Sequence, residues 1–217
     1  MKALDKTNQL IKDLTEELPP VKVLPSPYKR TIKLLVVFFS LFILTGLSSQ
    51  YLHSDLSTEF IIESFLILFT FILSLLAALH QNIPGLEKSR WHLWPVYLFG
   101  AWVLLLLSTL WFGNEGFWGQ TSNIHPTVHC PLTIFTLGSL GAFFTIREIR
   151  KGAVLNRTKL LFFILLSGFT FGALAPQFYC PFKEAEHIIT MHLFPVVVLI
   201  GFIFLIFKDR FFIRKSE

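Results

Sequence analysis

Six runs of apolar residues, each long enough to cross a bilayer, divide the chain: 34–52, 60–79, 93–112, 130–146, 160–178 and 188–207. A membrane helix needs roughly 20 mostly apolar residues. None of the runs alternates apolar and polar positions as a barrel strand does. The pattern therefore predicts an all-α, polytopic membrane protein, a bundle of six transmembrane helices. Ahead of the first run, Leu4, Ile11, Leu14 and Leu18 recur at helical spacing as one apolar stripe, with Leu10 beside it. Lys6, Lys12, Asp13, Glu16 and Glu17 lie mostly off that stripe, which predicts a short amphipathic helix. Pro19 and Pro20 stop it, and Pro25 and Pro27 make a stiff extended link to the first span. The chain then divides into a leader at 1–33, a membrane domain at 34–207 and a basic tail at 208–217.

The polar positions set the orientation. Of the 19 Lys and Arg residues, all but Lys183 fall on the side that carries both termini. Positive charge stays with the cytoplasm, so both termini are predicted cytoplasmic, with 53–58, 113–129 and 179–187 facing outward. The net charge of +5 then reads as a topology signal and a match to anionic lipid, and calls for no direct nucleic-acid partner. Composition points the same way. Hydrophobic residues make up 53% and charged residues 15%, against about 25% charge in soluble domains. That excludes a secreted disulfide scaffold, a nucleic-acid-binding domain and a soluble enzyme as first readings. A charged leader of 33 residues is also too long for a cleaved signal peptide.

The outward side collects the chemistry: both cysteines, Cys130 and Cys180, and five of seven histidines, His53, His125, His129, His187 and His192. Counted up helices four and five, the two thiols lie within about one helical turn of each other in height. Gly138 with Ala142, and Gly168 with Gly172, give small-residue faces that would let those helices approach closely. Pro131 suits a first helical position, which sets Cys130 at a helix N-terminus that favours a thiolate. Three readings stay open for the pair: a switchable redox couple, a static disulfide, and a thiolate–imidazole metal site. The metal set would draw on Cys130, Cys180, His125, His129 and His187, soft and borderline donors suited to zinc, cadmium or copper. Its spacing is poor, since Pro126 separates His125 from His129. His187 and His192, five residues apart, are expected on different faces of helix six. Glu63 is the one carboxylate inside a predicted span, within about a turn of the outer surface, where it reads equally as a solvated or hydrogen-bonded structural glutamate or as a group that pairs with a histidine or helps ligate a metal.

The leader helix has no core of its own, so its stripe must dock on the bilayer surface or in a protein groove. Its acidic content through Leu18 disfavours simple lipid docking.

The order of these features resembles the NrsF-like family of six-span bacterial membrane anti-sigma factors. The residues that carry the resemblance are Leu10-Ile11, Leu14, Leu18-Pro19-Pro20-Val21 and Leu24-Pro25 with Pro27 in the leader. Ile83-Pro84-Gly85, His129-Cys130, the basic turn through Arg147, Arg150, Lys151, Gly152 and Ala153, and Tyr179-Cys180-Pro181 with His187 and His192 follow. Met191 departs from the pattern, standing where relatives often carry an aromatic residue. The resemblance implies an inner-membrane protein that holds an extracytoplasmic-function (ECF) sigma factor and releases it under oxidative or heavy-metal stress. By that likeness Cys130 and Cys180 would be the sensing thiols, with His129, His187, His192 and Glu63 in support. Leu4, Leu10, Ile11, Leu14, Leu18 and Val21 would contact the sigma factor. No resident cofactor follows beyond a candidate soft or borderline ion. The rival readings are a membrane thiol–disulfide oxidoreductase, which usually needs two cysteine pairs or a CxxC, and a small transporter, haem or metal-binding membrane protein.

Overall fold

The computed structural model describes residues 24–48, 58–83, 90–112, 128–152, 154, 156–182 and 185–208, with Gln9 and Lys12 as isolated positions. The leader stripe, His53 and His125 lie outside the described residues. Six helices long and apolar enough to cross a membrane follow one another. They are α1 (Pro27–Ser48), α2 (Thr58–His80), α3 (Trp94–Phe112, entered by a 3-10 turn Arg90–Leu93), α4 (His129–Ile149) and α5 (Arg157–Tyr179). The sixth, α6, joins a short turn Ala185–His187, a π-helical stretch Ile188–Leu193 and an α-helix Phe194–Phe207.

Helix α5 is the axis of the bundle, packed against α1, α2, α4 and α6. The reason lies in its sequence: apolar and small residues occur all round it, and such a helix is stable only when buried on every side. Nearly all of Leu160–Gln177 is buried. Asn156 caps its N-terminus, the side chain accepting the Lys159 N–H at 3.0 Å. The outer helices instead present large apolar side chains away from the core, among them Phe39, Leu104 and Phe202, each more than 60% exposed. A belt of that kind suits hydrocarbon, not water.

The closest contact is between α4 and α5. A Cβ placed on Gly168 would lie 2.6 Å from the Gly138 carbonyl oxygen and 3.0 Å from the Ala142 nitrogen. One placed on Gly172 would lie 2.6 Å from the Ile134 carbonyl oxygen. The two backbones touch through the small residues at 138, 142, 168 and 172, as the small-residue spacing led us to expect. Beneath this seam, Phe38, Phe71 and Phe171 form an aromatic cluster with centroids 4.7–5.4 Å apart that ties α1 and α2 to α5.

The helices alternate in direction, which gives the bundle two distinct ends. At one, the start of α1 (Arg30) meets the ends of α2 (Asn82) and α4 (Glu148). The start of α5 (Phe162) packs there on the end of α6 (Phe204). This is the basic end. At the other, the start of α4 (Cys130), the end of α5 (Cys180) and the start of α6 (His187) converge. This is the thiol end.

The glycine seam makes a direct prediction. Gly168→Ala forces a methyl group against backbone atoms that cannot rotate away, and should lower stability by about 1–3 kcal/mol. Among the described residues no atom lies within 4 Å of such a methyl at Gly100 or Gly201, both inside helices, so alanine there should leave stability unchanged or raise it by up to about 1 kcal/mol. Thermal unfolding of the full chain in detergent checks this; equal midpoints for all three variants would contradict the seam.

Candidate functional site

The thiol end is built from three chain segments. Cys130 is the second residue of α4; Pro131 fits the first turn because its missing N–H costs no helical bond there. Cys180 is the C-cap of α5, its backbone N–H donating to the Pro176 carbonyl at 2.8 Å. Pro181 follows and prevents the helix from continuing. His187 closes the first turn of α6, five residues before His192.

Five residues at 3.6 per turn would set two side chains about 140° apart, and the sequence pattern predicted different faces. The structure overturns that. Residues 188–193 are π-helical, and the Phe194 N–H reaches back five residues to the Ile189 carbonyl. The wider turn brings the His187 and His192 rings together, centroids 5.5 Å apart and nearly perpendicular at 81°. Pro195 gives the physical cause. It cannot donate a helical bond, and its ring clashes with the carbonyl four residues back, at Met191. A widened turn just ahead of it relieves that clash.

The result is a closed group of four donors. The Cys130 and Cys180 sulfurs lie 3.3 Å apart, in contact but not joined by a bond of about 2.05 Å. His187 Nε2 lies 3.3 Å from the Cys180 sulfur and 3.8 Å from that of Cys130. With His192, one donor atom from each residue falls within 4.8 Å of all the others. All four side chains are buried, at 6% exposure or less. Phe182 packs on the His187 ring at 5.2 Å and helps shield it.

This set fits a single tetrahedral ion. Bonds of about 2.3 Å to sulfur and 2.0–2.1 Å to nitrogen give tetrahedral edges of roughly 3.8 Å between sulfurs and 3.6 Å between sulfur and nitrogen; His187 lies at 3.3 and 3.8 Å from the two sulfurs, and the sulfurs, 3.3 Å apart, need to open by only about half an ångström. A second observation agrees. His192 is 2% exposed, and among the described residues neither ring nitrogen meets a partner at hydrogen-bond geometry. Orphaned buried nitrogens are rare and ask for an explanation. A donor set of two sulfurs and two imidazoles suits zinc, cadmium or copper. The same geometry also serves disulfide formation, since the sulfurs need approach by only about 1.3 Å.

Other residues singled out from the sequence fall elsewhere. His129 precedes Cys130, but its side chain is exposed and outside the four-donor group. Glu63 is also outside it and is fully buried. One carboxylate oxygen accepts the Trp102 Nε1–H at 3.0 Å and the other the Gln177 amide at 2.9 Å. It ties α2, α3 and α5 together below the thiols, which satisfies a polar group that lipid could not. His192 was expected only in support; it is the fourth donor, and Pro195 was the signal that places it there.

A second polar cluster, at the basic end, was not anticipated. Arg30, 2% exposed, donates to the Glu148 carboxylate at 3.4 Å, to the Glu148 carbonyl, and to Asn82 Oδ1 at 3.0 Å. Asn82 in turn donates to the Ile149 carbonyl at 2.9 Å. Lys151 and Lys33 complete the charge around Glu148. In the sequence Arg30, Lys33 and Lys151 read only as topology charges, and Asn82 and Glu148, just outside the apolar runs, gave no signal of their own.

Neither the curated proteins nor the solved structures yield a match to this chain. One family model does match, NrsF, described as negative regulator of sigma F, and it covers residues 14–208. That is most of the length, and it takes in all six helices and the four-donor group. The chain therefore belongs to the NrsF family of negative regulators of a sigma factor.

Proposed function

We propose that this regulator is an inner-membrane anti-sigma factor with both termini in the cytoplasm. It sequesters an ECF sigma factor through its leader and releases it when Cys130 and Cys180 sense oxidative or heavy-metal stress. The observation that carries the sensing part is the buried closure of Cys130, Cys180, His187 and His192 across three segments. Thiols held in contact at the meeting point of α4, α5 and α6 respond to chemistry by moving helices. An oxidant that takes two electrons and two protons from the pair leaves a disulfide; a soft ion displaces the thiol protons and draws in all four donors. Either input tightens the same junction.

The partner-binding part rests on the leader. In the sequence Leu4, Ile11, Leu14 and Leu18, with Leu10 beside them, recur at helical spacing among acidic residues, and Val21 follows the Pro19-Pro20 stop. A helix-in-groove complex with a sigma factor would bury that stripe. The distribution of Lys and Arg puts this segment on the same side of the membrane as such a partner.

Two measurements test the reading. In cells carrying a reporter for the sigma factor, the wild-type chain should keep the reporter off until diamide or cadmium is added. Cys130→Ser and Cys180→Ser should keep it off under stress, and Leu14→Asp should turn it on without stress. Normal induction in both cysteine variants would contradict thiol sensing; continued repression by Leu14→Asp would contradict the leader. In the purified, reduced full chain, zinc binding should saturate at a single ion. His192→Ala should weaken it by at least about 10–100-fold, the range for even an indirect supporting residue, while His129→Ala should leave it unchanged. Equal loss in the two histidine variants would contradict the four-donor assignment.

A further inference from the structure

We propose that Arg30, Asn82 and Glu148 form a latch that links the far end of α4 to the start of α1, so that a change at the thiols alters how the leader is held. The proposal rests on the thiol pair as input and on the leader as output, and it names the path between them.

The geometry of α4 is the first argument. Cys130 and Glu148 are 18 residues apart in one unbroken helix, about five full turns and 27 Å, and therefore on the same face. Both are buried. Between them, α4 touches the α5 backbone through Gly138 and Ala142. Cys130 is eight residues to one side of Gly138 and Glu148 ten to the other, arms of about 12 Å and 15 Å. Glycine contacts permit a tilt better than a slide, because a slide would drive the Cα of Gly168 into the neighbouring turn. If the sulfurs close by about 1.3 Å through a tilt of α4, Glu148 swings by about 1.6 Å the other way.

The second argument is what such a swing would break. The last carbonyls of a helix have no partners within it; at α4 two of them accept the backbone N–H groups of Lys151 and Gly152 in the following turn and, in addition, donors from other helices. Arg30 of α1 takes the Glu148 carbonyl, and Asn82 at the end of α2 takes that of Ile149. A positive guanidinium also suits the negative end of the helix. The bonds that cross to α4, 3.4 Å from Arg30 to the Glu148 carboxylate and 2.9 Å from Asn82 to the Ile149 carbonyl, are no longer hydrogen bonds once stretched by more than an ångström. Arg30 would then be a buried cation without its anion, and the first turn of α1 must rearrange to reach another partner or water. Arg30 sits three residues after Pro27, where the helix begins. Rearranging that turn re-aims everything ahead of it.

The test is hydrogen exchange of the full chain in lipid nanodiscs, comparing reduced protein with protein oxidised by diamide. In the wild type, residues 27–33 should be protected when reduced and should exchange faster when oxidised, by a factor within the usual range of couplings, about 5–150-fold. Glu148→Gln should show the faster exchange already in the reduced state, with little added by oxidation, and Glu148→Asp should recover part of the protection. A wild-type yield of the Cys130–Cys180 disulfide in each variant shows that the bundle is intact. Exchange at 27–33 that ignores the redox state of the wild type overturns the latch, and that comparison needs no variant. Reduced Glu148→Gln with wild-type protection overturns it too. None of these readouts involves a sigma factor, so failure of the leader to bind one would count against the proposed function and leave the latch standing.

Discussion

Helices α4 and α5 meet backbone to backbone, and most of the molecule is arranged by that contact. Without a side chain at 168 and 172, two helices can approach until carbonyl oxygens of one lie against Cα atoms of the other. Lipid offers no hydrophobic drive for helix pairing, so such close packing and satisfied polar groups must supply it. The contact holds α5 at the centre and brings the start of α4 level with the end of α5. Cys130 and Cys180 therefore meet at 3.3 Å although they are 50 residues apart in the chain. The same seam leaves one polar cluster at each end of α4, thiols and imidazoles at one and Arg30 with Glu148 at the other.

Much of this was readable from the chain. Six apolar runs predict six helices because the bilayer sets a length that few other structures share. The glycine and alanine pairs, and the similar heights of the two cysteines, predicted a close α4–α5 approach at the thiols. Other features could not be read by the same rules. The histidines were misjudged because helical periodicity assumes a constant turn, and Pro195 breaks that assumption just where His187 and His192 lie. A hydrogen-bonded structural role was one of the readings open for Glu63, but the sequence carries no sign of its partners, Trp102 and Gln177, which approach it from two other helices. Arg30 read only as one of the basic charges that set orientation, and Glu148 gave no signal at all. Their pairing depends on three helices ending at one place, which is a property of the packing and not of any local pattern.

The two polar clusters differ in what they tolerate. Around Glu63 every carboxylate oxygen has a neutral donor, and the group acts as a tie within the bundle. At the thiol end the sulfurs lie in contact but not bonded to each other, beside two buried imidazoles. A carboxylate tied by two neutral donors stabilises one arrangement, whereas thiols and imidazoles held this close offer an incoming ion its ligands and an oxidant a pair to join. That contrast is why the proposed sensor is placed at Cys130, Cys180, His187 and His192 and not at the intramembrane carboxylate.

If the state of the thiols sets the affinity for a sigma factor, linkage requires the reverse by the same factor. The most direct measurement is the reduction potential of the Cys130–Cys180 pair in the full chain, in nanodiscs, with and without its sigma factor. Oxidation is proposed to release the partner, so a bound partner must favour the reduced thiols and raise the potential. Each tenfold of coupling corresponds to about 30 mV. A rise of that size or more is the result this account predicts; a potential unchanged by saturating sigma factor would contradict it.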